Sequence, residues 1–461
     1  GSNIDDNLDS ILNAGREIGM MSKYGGGTSA FLGNIRPRGS EISTGGHADG
    51  PIHYARMYDT VVDVCKQSEA RRGACAVYLP VEHPDIAEFL DIGTEGNPIQ
   101  NLQYGITVTD EWMKEMKEGD RKKRKVWAKI IQRRSEFGYP YIMFKDNSNN
   151  NSPYKEIGLE ITASNLCSEI QLPTDSYNSF VCCLGSINLL HWDEIKETDA
   201  VQTYVYFLNA VMDEFIIKSE TMPGMKRAYN FAEKHRAIGL GVLGYHSLFQ
   251  SKLIEFESLE AKQLNSEIFR TIKDRSEIAS RKLNSEYGYR CLREGYANTT
   301  LMAIAPTKSS SFIHGAVSMG IEPIKSNYFI KDLAKSKTVY KNPFLECELE
   351  KHGINNDKTW KSILKKDGSV QHLDFPTKAV FKSFVEITPK ELVLQAAQRQ
   401  KYIDQSQSLN LMIDPSVSAK QINQLYLYAH EEGVKTLYYQ FSKSSAQDFA
   451  RNILECGSCE G

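Results

Sequence analysis

The sequence predicts an α/β fold, a sheet or barrel with helices outside, because helix and strand patterns alternate along the chain. In TPKELVLQAAQRQKY, Thr388 is the predicted N-cap, Pro389 takes the first helical position and Glu391 closes a capping box. The next stretch, SQSLNLMI, has the composition of a strand. A second helical pattern, SAKQINQLYLYAHEEG, ends at Gly433 and precedes the extended stretch VKTLYYQ.

The composition indicates a globular chain that acts on a small, specific substrate. The 461 residues are 41% hydrophobic and 25% charged, and the net charge of -3 gives no broad attraction to nucleic acid or anionic membranes. No stretch approaches the roughly 18 apolar residues of a membrane span, and the acidic GSNIDDNLDS is unlike a secretory signal. Nine cysteines, an odd number, indicate free or redox-active thiols in a reducing compartment, so we expect a cytoplasmic protein.

The pattern predicts one domain over residues 1–441 and a flexible tail over 442–461. No fixed-period repeat divides the chain, and the tail, SKSSAQDFARNILECGSCEG, loses the preceding alternation. The stretch DNSNNNSP at 146–153 predicts a short polar loop. The basic run RKKRK at 121–125 lies among acidic residues and predicts a solvated face rather than a nucleic-acid patch.

The stretch NLCSE carries an amide, a thiol and a carboxylate at alternate positions. If it is extended, Asn165, Cys167 and Glu169 share one face and meet one substrate. The alternative is that Cys167 is a small buried hydrophobe and Glu169 is simply exposed. Cys182 and Cys183 follow on a predicted strand, where neighbours face opposite ways, so one of the two can face the same site.

Two other uses of these thiols have weaker support. The close C-x-x-C pair stands at the C-terminus, Cys456 and Cys459, and no second pair with zinc-finger spacing exists, so we predict no metal site. A papain-like nucleophile needs a histidine base, and none of the ten histidines stands in a recognisable signature around these cysteines.

The motifs resemble the large, catalytic subunit of class I ribonucleotide reductase. The resemblance depends on NLCSEI, VCCLGSINL, RAIGLGVLGY, GIEPIKSNYFIK, QKYIDQSQSLNL, GVKTLYYQ and the terminal CGSC, which occur in the family's order across essentially the whole chain. It implies a ten-stranded α/β barrel and the reduction of ribonucleoside diphosphates to deoxyribonucleoside diphosphates by thiyl-radical chemistry with a dithiol reductant.

The resemblance also implies roles around the thiols. A thiyl radical on Cys167 removes the 3'-hydrogen of the ribose, Glu169 takes the 3'-hydroxyl proton, and Asn165 hydrogen-bonds the sugar. Cys182 matches one member of the cysteine pair that supplies electrons as the 2'-hydroxyl leaves as water. Seven further residues are expected to bind substrate, most of them through its diphosphate, namely Gly26, Gly27, Ser164, Pro306, Thr307, Ser309 and Ser310. An ordinary serine-rich turn is the alternative for TKSSS.

The adjacent Tyr438 and Tyr439 match a tyrosine pair that passes an oxidising equivalent to the active cysteine. It comes from a radical-generating small subunit, which carries the metal-based cofactor, so no covalently bound cofactor is expected in this chain. Two strand aromatics in a core are the alternative. The dithiol of Cys456 and Cys459 resembles the swinging pair that is reduced by thioredoxin or glutaredoxin. Eighteen flexible residues span about 23 Å on average and about 60 Å when extended, so the tail can reach both an interior site and the protein surface.

Effector recognition is expected within residues 1–75, at a dimer interface of large subunits. The resemblance assigns deoxynucleoside triphosphate or ATP contacts to Asp6 and Asn7, a first loop to NIRPRGSEIS with Arg36, and a second to KQSEARRGA with Gln67 and Arg71. The alternative is a pair of basic solvent loops.

The sequence departs from the family at one point. The partner of Cys182 lies on a strand shortly before the segment that matches DDNLDSI, and it is absent here, together with the N-terminal helical domain and the first barrel strand. We expect the C-terminal piece of a split large subunit, completed by a separate N-terminal chain, an arrangement that would suit a phage. A shortened chain and a decayed homologue are the alternatives.

Two functions of other classes compete with a radical reductase. A nucleotide-binding regulatory or assembly subunit would bind triphosphates without turnover. A thiol-disulfide oxidoreductase using Cys456 and Cys459 would keep its activity after loss of Cys167.

Overall fold

The computed structural model describes residues 1–43, 45–65, 73–333 and 336–442. The strands are β1 Ser2–Asn3, β2 Gly27–Phe31, β3 Ala74–Pro80, β4 Leu102–Val108, β5 Tyr141–Phe144, β6 Leu184–Asn188, β7 Gly239–Leu243, β8 Tyr328–Leu333, β9 Ser336–Lys341, β10 Leu411–Ile413, β11 Thr436–Leu437 and β12 Gln440–Ser442. The first helices are α1 Leu8–Lys23, α2 Pro51–Val64, α3 Ile86–Phe89, α4 Asp110–Glu118, α5 Arg121–Phe137, α6 Lys145–Asn150, α7 Pro153–Ile157, α8 Trp192–Ile195 and α9 Ala200–Ser219. The others are α10 Lys226–His235, α11 Tyr245–Ser251, α12 Leu259–Tyr287, α13 Lys308–Ile313, α14 Pro343–Lys351, α15 Asp357–Lys365, α16 Pro389–Gln400 and α17 Ala419–Glu431.

The largest sheet contains six strands in the order β1-β2-β3-β4-β5-β11. Strands β1 to β5 pair in parallel and β11 is antiparallel to β5. Helices connect the parallel strands, because a chain that returns to start a parallel strand needs a crossover connection, which is usually a helix. The strands ACAVYLP and YIMF are almost continuously apolar because both faces of this sheet are covered.

A second set of parallel pairings lies further along the chain. Strand β6 pairs with β7, single parallel bridges join Leu240 to Met302 and Ile304 to Gln407, and β10 pairs with β12. The segment from Thr436 to Ser442 pairs with β5 at its start and with β10 at its end. It therefore connects the two sets of strands, and the two residues at the crossing are Tyr438 and Tyr439.

One large hydrophobic core lies under both sets of strands. It extends from Ile4 and Ile11 near the N-terminus to Phe441 at the end of the described chain. A smaller cluster around Leu345 and Trp360 packs α14 and α15 beside the β8–β9 hairpin. No helix in the described ranges is long and apolar enough to cross a membrane.

The structure corrects two local predictions in the C-terminal part of the barrel. Thr388 stands at the N-cap of α16 but makes no side-chain cap bond. Its amide donates to Glu257 Oε1 at 2.9 Å, and Glu391 pairs with Lys262 at 3.0 Å, so the reciprocal bonds of a capping box do not form. A capping box occurs on α17, between Ser418 and Gln421. The strand predicted for SQSLNLMI is reduced to Leu411–Ile413.

Most of the polar run at 146–153 is helical rather than a loop, and Asn151 and Ser152 form the turn between α6 and α7. It covers most of α6 and the start of α7, because its asparagines bond to distant backbone. Asn147 donates to the carbonyls of His430 and Val434, both at 2.9 Å, and Asn149 donates to Ile161 O at 3.0 Å. The basic run at 121–125 forms the first turns of α5 and is mostly exposed, as predicted.

Candidate active site

A cavity of about 550 Å³ lies between the first sheet and the loops that enter and leave the second set of strands. Asn165, Cys167, Glu169 and Cys182 all line it. The structure therefore brings together the four side chains in which the sequence suggested shared chemistry.

The loop that carries Cys167 is a turn, not the extended strand that we predicted. Ser168 has a left-handed backbone with φ of 68°, and its amide donates to Asn165 O at 3.4 Å. The Asn165 side chain closes the turn, because its Oδ1 accepts from Ile170 N at 3.1 Å. The backbone carbonyl of Asn165 accepts from the Tyr78 hydroxyl at 2.7 Å. Side-chain and turn bonds thus replace the ladder bonds of a strand.

The carboxyl group of Glu169 is shielded from solvent. The residue is 2% exposed, and burial raises the pKa of Glu169 to about 7, although hydrogen bonds from Asn165 and Ser408 lower it in part. Ser408 Oγ lies 3.3 Å from Glu169 Oε2 and 2.7 Å from Cys167 O. Near neutral pH this carboxyl group can both take and return a proton.

The adjacent cysteines face in different directions. Cys182 opens into the cavity with Asn165 Nδ2 3.8 Å from its sulfur, whereas Cys183 Sγ lies 3.5 Å from Leu208 O on α9. Burial, followed by the nearby charge of Glu169, raises the pKa of Cys182 to about 12. Burial likewise raises the pKa of Cys183 to about 11. The Cys182 sulfur is therefore a neutral thiol at physiological pH.

Two glycines, one in β2 and one just before it, pack closely against neighbouring side chains. A Cβ on Gly27 would stand 2.7 Å from Leu166 Cδ2, and one on Gly26 would stand 2.9 Å from Met21 Cε. Both glycines also line the cavity. The missing side chain of Gly27 leaves room for Leu166 of the Cys167 loop, and that of Gly26 leaves room for Met21 of α1.

The predicted diphosphate residues divide into two groups. Pro306, Thr307 and Ser310 line the cavity, whereas Ser164 and Ser309 do not. Ser164 instead donates to Ile170 O at 2.8 Å and so supports the turn.

Three further residues near the cavity were missed by sequence reasoning. Glu17 and His314 line it, and Ser408 connects Cys167 to Glu169. Ser408 belongs to the quoted motif QSQSLN, which was the available signal. Glu17 and His314 carried no signal.

The two tyrosines form a compact buried pair outside the cavity lining. Tyr438 is 2% and Tyr439 7% exposed, and their ring centroids are 4.5 Å apart at an angle of 53°. Tyr141 contacts both rings, with centroid distances of 4.8 and 5.1 Å.

The three expected effector residues within the described ranges, Asp6, Asn7 and Arg36, do not line this cavity. Arg36 Nε pairs with Asp6 at 2.7 Å, and Arg36 N donates to the same carboxylate at 3.2 Å. Asn7 is the N-cap of α1 and accepts from Ser10 N. Two of the predicted effector residues lie outside the described residues, namely Gln67 and Arg71. The same is true of nearly all of the predicted tail, including Cys456 and Cys459.

Comparisons with known proteins agree with this arrangement. The chain matches the family described as "Ribonucleotide reductase, barrel domain" over residues 2–123, 120–291 and 289–440. It is 33% identical to the ribonucleoside-diphosphate reductase large subunit of Invertebrate iridescent virus 3, over 93% of this chain and 80% of that protein. The large subunit of Vaccinia virus (strain Copenhagen) is 30% identical, over 96% of this chain and 67% of that protein.

A solved structure is similar over almost the entire chain. The class Id ribonucleotide reductase alpha subunit of Actinobacillus ureae superposes with a TM-score of 0.91 and 49% identity, covering 99% of this chain and 84% of that chain. Together with the family match, this likeness confirms the predicted α/β barrel of the reductase type. The chain therefore belongs to the large, or alpha, subunits of class I ribonucleotide reductase.

Proposed function

We propose that this chain reduces ribonucleoside diphosphates to deoxyribonucleoside diphosphates by radical chemistry in the 550 Å³ cavity. The observation that carries the proposal is the convergence of Asn165, Cys167, Glu169 and Cys182 on that cavity. These are an amide, two thiols and a carboxyl group, the set that hydrogen-atom abstraction, proton transfer and two-electron reduction require.

Each group has a defined step. The Cys167 thiyl radical takes the hydrogen atom from C3' of the ribose, and Glu169 takes the 3'-hydroxyl proton. The C2' hydroxyl accepts a proton and leaves as water, while Cys182 and a second thiol supply two electrons and become a disulfide. Cys167 then returns the hydrogen atom to C3', so that one ribonucleotide and one dithiol give one deoxyribonucleotide, one disulfide and water.

The protonation states suit this sequence of steps. A Cys182 thiol whose pKa is raised to about 12 stays protonated until its hydrogen is transferred to the substrate. A Glu169 carboxyl whose pKa is about 7 can act as base in the first step and as acid later. Asn165 contacts both groups, since it donates toward the Cys182 sulfur and bonds to the Glu169 carboxylate.

The second thiol of the reducing pair is part of the proposal. Cys183 is turned toward Leu208, so it is not the partner of Cys182. We assign that role to a cysteine of a separate N-terminal polypeptide. After each turnover, Cys456 and Cys459 would reduce the disulfide and be reduced in turn by thioredoxin or glutaredoxin.

The substrate and effector residues are assigned to two different sites. Gly26, Gly27, Pro306, Thr307 and Ser310 line the cavity and would contact the nucleotide, its diphosphate lying against the last three. Ser164 and Ser309 would act from outside the lining. A deoxynucleoside triphosphate or ATP would bind within residues 1–75, where Asp6, Asn7 and Arg36 lie together, with Gln67 and Arg71 relaying its identity.

The oxidising equivalent would come from a small subunit that carries the metal-based radical cofactor. Tyr438 and Tyr439 would pass it inward, a role favoured by ring centroids 4.5 Å apart within a buried pair. The large subunit would act as a dimer. On this proposal, residues 1–441 form the catalytic barrel and residues 442–461 the redox tail.

The test is conversion of labelled CDP to dCDP with the small subunit, a triphosphate effector and dithiothreitol, with and without an N-terminal fragment that bears the second cysteine. We expect turnover with the fragment, its loss in Cys167→Ser, and its retention in the matched control Cys183→Ser. No turnover in any combination with intact effector binding would indicate a regulatory subunit instead. Reductase activity toward disulfides that survives Cys167→Ser would indicate a thiol-disulfide oxidoreductase.

A further inference from the structure

The peptide that joins Tyr438 to Tyr439 is held by side chains rather than by a neighbouring strand. Its carbonyl, Tyr438 O, accepts from Arg134 Nη1 at 2.8 Å. Its amide, Tyr439 N, donates to Asn410 Oδ1 at 3.2 Å. The backbone groups on either side of this peptide bond to the neighbouring segment, Tyr438 N to Leu409 O at 3.0 Å and Leu411 N to Tyr439 O at 2.9 Å. The peptide's own two groups are bonded instead to the side chains of Arg134 and Asn410.

Arg134 is an unusual residue for this position. It lies on α5 with 0% exposure, and no ion pair of the described ranges includes it. Its guanidinium bonds to neutral groups: Pro140 O at 2.5 Å, the Tyr426 hydroxyl at 2.7 Å and Tyr438 O, while Nη2 has no partner among the described residues. Burying a cation in this way costs free energy, which the bonds to fixed backbone carbonyls offset only while those carbonyls stay in place.

Asn410 is oriented from its other end. Its Nδ2 donates to Glu322 Oε2 at 2.6 Å, a short, charge-assisted bond. That bond fixes which amide atom faces the tyrosines, so Oδ1 is presented to Tyr439 N. The peptide is therefore held from two sides, by α5 through Arg134 and by Glu322 through Asn410.

We propose that Arg134 and Asn410, the latter oriented by Glu322, are positioning residues that set the geometry of the tyrosine pair. The inference depends on the proposed relay role of Tyr438 and Tyr439 and deepens it. Loss of either bond would leave one side of their shared peptide unheld, so the backbone that carries both rings would shift and change the centroid distance of 4.5 Å. Transfer of an electron and a proton between the rings requires that the reacting groups be held in place.

The decisive experiment exchanges the amide of Asn410 and the carboxylate of Glu322 and asks whether the double variant recovers activity. Asn410→Ala removes the acceptor of Tyr439 N. Asn410→Asp keeps an acceptor but sets a carboxylate against Glu322, and the double variant Asn410→Asp/Glu322→Gln restores a donor and an acceptor in exchanged places. We expect kcat for CDP reduction to fall about 10- to 100-fold in the first two variants and to return within about twofold of wild type in the double variant.

Three further measurements separate positioning from folding. KM for CDP and the effector Kd should stay unchanged, as should the melting temperature of Asn410→Ala to within a few degrees. Arg134→Lys should lower kcat in the same way, whereas Arg133→Lys, the neighbouring residue bonded to Asp91 and Glu136, should not. A wild-type kcat in Asn410→Ala, or no rescue in the double variant, would overturn the inference.

The relay itself is tested separately with Tyr438→Phe and Tyr439→Phe. Full turnover in these variants would refute the proposed relay. Loss of turnover in them, combined with normal turnover in the Asn410 and Arg134 variants, would leave the relay standing and refute the positioning role alone.

Discussion

Glu169→Gln should change the pH dependence of stability in a direction that the structure fixes. Burial raises the pKa of Glu169 from 4.5 to about 7 in the folded protein. Between these values the folded state holds a proton that the unfolded state has lost, so wild-type stability falls as the pH rises through this window. The difference of about 2.5 pKa units corresponds to a penalty of about 3 kcal/mol that is fully present above pH 7 and absent below pH 4.5.

A neutral glutamine does not bear this penalty. Relative to wild type, Glu169→Gln should therefore gain stability between pH 5 and pH 8, by up to about 3 kcal/mol in the free energy of unfolding. Urea denaturation followed by circular dichroism at both pH values measures the gain, and no partner chain or substrate is needed. Glu17→Gln, at another carboxylate of the cavity lining, is the control. An equal stability difference at the two pH values would show that Glu169 does not titrate in this window and would refute the acid–base role built on it.

Three other changes test the site. At pH 8, Cys182 should be alkylated by iodoacetamide at least about 10-fold more slowly than Cys347, although both residues are exposed, because desolvation by the surrounding protein raises the pKa of Cys182 to about 12. Peptide mass spectrometry measures both rates, and equal rates would contradict the predicted thiol state. Gly27→Ala should lower kcat about 10-fold or more, because the new Cβ would lie 2.7 Å from Leu166 Cδ2 and displace that side chain. The double variant Gly27→Ala/Leu166→Ala should recover much of the lost kcat. No recovery would show that the loss does not come from contact with Leu166. Arg36→Ala should weaken effector binding about 10-fold in equilibrium dialysis but change stability by less than about 1 kcal/mol, since its ion pair is partly exposed; unchanged affinity would remove Arg36 from the effector site.

Sequence patterns were sufficient for the fold class and for the four side chains that converge on the cavity, and they failed where tertiary bonds override local preference. The run DNSNNNSP has the composition of a loop, yet Asn147 and Asn149 bond to backbone far along the chain and the segment is helical. Thr388 and Glu391 have the spacing of a capping box, but Lys262 on α12 takes the glutamate. In both cases the deciding partner is distant in sequence, so no local window contains it.

The same limit applies to the tyrosine pair. The motif GVKTLYYQ placed it in a strand, and the strand exists on both sides, as β11 and β12. What the motif does not contain is Arg134 and Asn410, which hold the peptide between the two tyrosines. Their contribution becomes visible only when α5 and the loop before β10 are placed beside the pair.

The error at NLCSE is the most informative, because the predicted strand could not have made the site. Alternate residues share a face of a strand, but each residue advances about 3.3 Å, so Asn165 and Glu169 would stand about 13 Å apart. At that distance they could not bond to each other. The left-handed Ser168 folds the segment back, and the Asn165 side chain then bonds to the Glu169 carboxylate while its Nδ2 reaches to 3.8 Å from the Cys182 sulfur. The spacing selected three residues that the structure places at one cavity, and the turn, which needs a backbone conformation unfavourable for most side chains, is what brings them together.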